Sequence, residues 1–163
     1  MSAADHIKSG LQTPTFVVKA YLEDLTDEDL MRRAADGINH IAWQLGHLIA
    51  SENQLINSVC PGAMPDLPEG FAEKHGKETA GNDNAADFCT KAEYLKLMDE
   101  QRAATLEALS KLTEEDLSKP APEALQRIAE NVGAMFTMQG THWMMHAGQW
   151  VVVRRQLGKP ALF

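Results

Sequence analysis

Cysteine is nearly absent from this chain: Cys60 and Cys89 are the only two among 163 residues, and they form no CxxC pair. A disulfide-dense scaffold and a cysteine-based zinc module are therefore excluded, and two free thiols are expected rather than one bridge. Basic clusters are missing too. Fifteen Lys and Arg stand against 23 Asp and Glu, a net charge of −8, so the surface repels phosphate backbones and nucleic acid is not an expected partner. No apolar run approaches the ~20 residues of a membrane span. The opening MSAADHIKSG has neither the apolar core nor the cleavage site of a secretory peptide, so a cytoplasmic protein with no membrane contact is expected. No stretch alternates convincingly as a strand.

What is present is helical periodicity. At this length, with 44% apolar and 23% charged residues, one domain over 1–163 with a real core is expected. Residues 4–25 carry Ile7, Leu11, Val18, Leu22 and Leu25 near a 3.6 period, with Pro14 predicted to kink or restart the helix. LTDEDL follows, where Thr26 can cap a short turn whose acids suit a helix N-terminus. A second helix is predicted from Asn39 to Val59, capped by Asn39 or Asp36 and ended by Pro61-Gly62. Residues 60–89 are rich in Pro and Gly and read as a long link that could cross the bundle, a length usually tied to function or mobility. The third helix opens on a Thr90–Glu93 capping box and runs to Leu112, where LTEEDL echoes the earlier LTDEDL. The fourth covers Asn131 to Leu157 and stops at Gly158 and Pro160, with Arg154 and Arg155 in its last turn. The fold class is all-α: a four-helix bundle with a long loop between the second and third helices.

Within GTHWMMHAGQW, His142 and His146 are four apart, one turn up the same helical face. Their imidazoles can converge on one ion, and in so apolar a helix a metal would offset their desolvation. A third ligand must come from another helix. His40 and His47 in the second helix lie about 10.5 Å apart along the axis, too far to share an ion. His47 is the third candidate, being deeper in the helix, and His40 is a lining or capping residue. Gln149 shares the face of His146 and is either a solvent-facing amide or a group that orients a ligand or substrate. Trp43 and Trp150 are each four residues from a candidate ligand and are either pocket walls or plain core. Glu52 points ~140° away from His47 and is a poor fourth ligand. His6 and His75, in terminal and loop sequence, are expected to be solvated.

A GHL histidine in WQLGHLIASE (43–52), followed much later by HWMMHAGQWVVVRRQLGKP (142–160), resembles the DinB/YfiT-like metalloenzyme family. The LEDLTDEDLMRR segment also fits that family's first hairpin. The resemblance implies a bundle holding a divalent metal through His47, His142 and His146, often in a homodimer. Some relatives in that family are transferases or isomerases that use small-molecule thiols.

Three neutral histidines leave coordination positions open, as catalytic sites do, and imidazole suits zinc or nickel first. The leading expectation is a metal-dependent enzyme acting on a small-molecule substrate, S-transferase-like with a low-molecular-weight thiol as cosubstrate, and hydrolysis next. The rival is a non-catalytic bundle whose metal ties two helices together, or a ligand-binding protein, with Trp143 and Trp150 serving a dimer interface.

Overall fold

Pro14 does not break the first helix. In the computed structural model, which describes residues 1–163, α1 runs from Ala3 to Leu22 behind a Ser2–Asp5 capping box. Proline removes the N–H that would bond the Gly10 carbonyl. That carbonyl turns toward the last helix, where a Cβ on Gly140 would lie 3.0 Å from it. The helix stays continuous through Pro14, and the neighbour facing the freed carbonyl is glycine.

Six further helices follow: α2 (Asp27–Leu30), α3 (Ile41–Val59), α4 (Phe71–Lys74), α5 (Lys91–Ser110), α6 (Glu114–Ser118) and α7 (Val132–Gln156). The four long ones, α1, α3, α5 and α7, form the all-α bundle. Around it the order is α1, α7, α3, α5, so α1 faces α3 and α5 faces α7 across the diagonals. The long 60–89 link therefore joins neighbours rather than crossing the bundle. The crossings belong to the segments carrying the two echoed motifs. Each motif makes the same device, a short helix opened by a capping box: Thr26–Asp29 for α2 and Thr113–Asp116 for α6. The echo is thus shared turn chemistry at two equivalent places.

The predicted Thr90–Glu93 box opens α5 and Asn131 caps α7. The cap of α3 is neither Asn39 nor Asp36 but His40, whose Nδ1 accepts the Trp43 backbone N–H at 3.0 Å. Fully buried, His40 donates from Nε2 to the Asn82 carbonyl at 3.0 Å. At the other end of α7, Arg154 is buried rather than solvated at the helix terminus; it binds the Tyr21 carbonyl and the Asp24 carboxylate.

The 60–89 segment packs against α3 instead of standing off it, and corrects the solvated assignment of His75. That side chain is 2% exposed. Its Nδ1–H donates to the Phe71 carbonyl at 2.7 Å and its Nε2 accepts the Tyr94 hydroxyl at 2.8 Å. Burial pushes its pKa down to about 4 and that of Tyr94 up. The ring lies flat on Gly46, where a Cβ would sit 2.1 Å from His75 Cδ2. Gly46→Ala must expel a ring held at both nitrogens, so it is expected to cost about 3 kcal/mol, the upper end for overpacking. Urea unfolding checks this, and a loss below about 1 kcal/mol would show that the segment yields freely.

Two main apolar clusters fill the bundle, and a third, small one joins Ala121, Ala129 and Met135. Of the main two, the larger joins Leu22, Leu45, Ile49, Met98, Trp143 and Trp150, and the smaller joins Ile56, Leu109, Leu117 and Phe136. Trp143 and Trp150, at 2% and 0% exposure, are core residues and not available to a dimer interface. Between the clusters lies a buried polar layer. Glu52 accepts from Arg102 Nη2 at 3.0 Å, Thr105 Oγ1 at 2.8 Å and Trp143 Nε1 at 2.9 Å.

Candidate metal centre

α3 and α7 run antiparallel along one seam, pairing Gln44 with Gln149 and Glu52 with Trp143. On this seam His47 meets His142 and His146. The ring centroids are 5.2 Å apart for His47–His142, 5.5 Å for His47–His146 and 5.1 Å for His142–His146. One nitrogen from each lies within 4.8 Å of the others, close enough for the group to hold a metal ion. All three are half-buried, and no Asp, Glu or Cys joins them. Glu52 faces the core, as the helical angle predicts.

Two of the three imidazoles are held from behind. Trp43 stacks on His47 with centroids 5.0 Å apart and planes 10° from parallel. Its indole N–H donates to the Gly76 carbonyl and Thr79 Oγ1 at 3.1 and 3.2 Å, so the long link steadies His47 through tryptophan. His146 is oriented by Gln44. The oxygen of that amide accepts from Trp150 Nε1 at 2.8 Å and contacts His146 Nδ1 at 3.1 Å. An indole can only donate, so the acceptor atom is the amide oxygen and His146 must carry its proton on Nδ1. Its Nε2 lone pair is then free. Gln44 Nε2 donates in turn to the Asn39 carbonyl and to Gln149 Oε1, so Gln149 is joined to His146 through Gln44.

Burial acts in one direction on all three rings. Desolvation disfavours the imidazolium, lowering the His47 pKa and pushing His142 and His146 down to about 4, with neighbouring histidines adding repulsion for the latter two. At neutral pH the site presents three uncharged imidazoles, the protonation state a metal requires.

The structure thus brings His47, His142 and His146 together, with Trp43 against one of them. Trp150 is wholly buried and touches the site only by sharing Gln44 with His146; His40 caps α3 seven residues away, and His6 is exposed. Gln44 is absent from the residues that spacing picks out. The sequence offers only its spacing, an amide three residues before His47 and so near its face; its burial is seen in the structure alone.

No curated protein matches the sequence. The crystal structure of a conserved protein from Enterococcus faecalis superposes with a TM-score of 0.72 at 16% identity, over 98% of this chain and 99% of that one. That likeness concerns the fold. Residues 17–150, a span that contains His47, His142 and His146, match the DinB superfamily, and the chain belongs to that family.

Proposed function

We propose that His47, His142 and His146 bind one divalent transition metal, zinc or nickel first, in a metal-dependent enzyme of S-transferase type that uses a low-molecular-weight thiol. The observation that carries this reading is the donor set: three converging neutral imidazoles with no protein carboxylate or thiolate to close it. A structural site is normally closed by four protein ligands, whereas a catalytic one keeps a position open. Bound there, a divalent ion supplies Lewis acidity that lowers the pKa of a thiol or water at its open positions. In the transfer itself a C–S bond forms as the bond to the leaving group breaks. The leaving group takes the electron pair and the thiol proton passes to solvent.

The chain's own contribution is positional. Gln44 holds the Nδ1 proton of His146, Trp43 fixes the ring plane of His47, and the buried walls keep all three histidines uncharged. Gln149 accepts from Gln44, which leaves its own NH2 group to meet a substrate. No helix is long and apolar enough to cross a membrane. We place the protein in the cytoplasm as one domain over 1–163 that pairs as a homodimer. Phe16 on α1 and Val152 on α7, 62% and 44% exposed, are apolar side chains that such a pairing would cover.

Native mass spectrometry of untagged protein tests this first. A dimer of 17.9 kDa chains carrying one transition-metal ion per chain is expected. Metal-dependent consumption of a low-molecular-weight thiol with an electrophile should accompany it. A metal-loaded protein that turns over no thiol with any electrophile would instead favour the hydrolytic or non-catalytic alternative.

A further inference from the structure

Beyond His142 the seam between α3 and α7 opens into a groove of about 550 Å³. Ser51 and Leu55, one and two turns past His47, form one wall. Met138, Thr141 and Met145 form the other, and Ile128, from the segment before α7, closes the far rim. His142 itself lines the near end, so the groove is continuous with the histidine group. Its size falls in the range of small-ligand sites. Its chemistry is one-sided. No Asp, Glu, Lys or Arg lines it, and the only polar side chains besides His142 are the hydroxyls of Ser51 and Thr141.

We infer that this groove binds the uncharged, apolar part of the acceptor substrate, an alkyl or aryl electrophile rather than a carboxylate or phosphate ester. The inference rests on the transferase reading for the role of acceptor, but the binding preference follows from the lining alone. An anion entering here would shed water with no cation to replace it. An alkyl chain gains with each methylene buried, roughly three- to fourfold in affinity. Two methionines suit ligands of varied shape, because the unbranched thioether repacks readily. Thr141 already donates its hydroxyl proton to the Met138 carbonyl, so the Ser51 hydroxyl is the one that can donate to a neutral polar atom, such as an ether or carbonyl oxygen, beside His142.

The methionines supply the measurement. In protein carrying 13C-methyl methionine, eight residues report. Only Met138 and Met145 line this groove, while Met144 lines a separate one between α1 and α7. Titration with 1-hexanol is expected to move the Met138 and Met145 signals and leave Met144 in place. 1-Butanol should bind about tenfold more weakly, and hexanoate at pH 7 at least tenfold more weakly than hexanol. Ser51→Trp should abolish the shifts by filling the groove. Ile128→Asp, at a lining position that is 53% exposed, should weaken hexanol binding several-fold. Hexanoate binding as well as hexanol, shifts centred on Met144, or signals that move with protein concentration instead of alcohol would each overturn the assignment. The last result would identify a second copy as the occupant. Metal content and thiol transfer are read on the same sample. The expected titration without transfer leaves the groove standing and removes the transferase reading. Transfer with Met138 and Met145 unmoved does the reverse.

Discussion

His146→Ala is expected to strip the protein of its metal, from about one ion per chain to a trace under identical purification. Two imidazoles on separate helices cannot match three, and the lost ring is the one whose proton Gln44 fixes. Gln44→Leu should fall between wild type and His146→Ala. It keeps all three ligands but releases His146 to either tautomer, and loss of such a supporting partner typically costs ten- to a hundredfold in metal affinity. It also strands the Trp150 indole N–H in a fully buried place, a further ~1–3 kcal/mol. The pH dependence has a definite sign. His142 and His146 titrate near 4 when folded, against about 6.5 when unfolded. Protons therefore compete weakly with metal at pH 6 and strongly as pH approaches 4, so metal should be retained through the first and lost toward the second. The same shifts make the metal-free fold lose stability as pH falls from about 6.5 to 4, because over that window the unfolded chain binds more protons. Metal content by mass spectrometry across a pH series checks the first statement. Urea midpoints of chelated protein check the second. Full metal retention in His146→Ala would refute the three-histidine site.

Glu52→Ala is expected to be the most damaging substitution for stability, about 3–5 kcal/mol. The magnitude comes from what is left behind. Arg102, at 6% exposure, would keep only the Leu11 carbonyl at 3.5 Å, and its Nε already has no partner. The Thr105 hydroxyl and Trp143 indole would be orphaned with it. Removing one member of a buried pair leaves an uncompensated charge, whereas replacing both with apolar residues is often neutral. Glu52→Leu with Arg102→Met should therefore recover most of the loss, a comparison that separates a charge effect from a packing one. Against a total of about 5–15 kcal/mol for a domain, the single change would leave a marginal fold. Urea unfolding of the two variants decides it; a cost below 1 kcal/mol for Glu52→Ala would mean that water already solvates the layer.

Much of the bundle was legible along the chain because helix ends are local chemistry. Thr90 with Glu93, Asn131 before Val132, and Gly158 after Gln156 satisfy or end their helices using residues within a turn or two. The three histidines were legible for a related reason. His142 and His146 share a face by period alone, and His47 is the histidine deep enough in another long helix to meet them. Other features were decided only by the tertiary structure. Pro14 is expected to kink or restart α1, yet the helix is continuous, with a glycine on a distant helix beside the freed carbonyl. His75 lies in loop-like sequence, yet Gly46, 29 positions earlier, leaves the gap into which its ring fits. Gln44 carries no motif, and its role exists only where α7 delivers His146 and Trp150 to one amide. The order of helices around the bundle is of the same kind. A cap or a period concerns neighbours in the chain, so sequence determines it. A shared hydrogen bond or a ring lying on a glycine concerns neighbours in space, and packing alone chooses those.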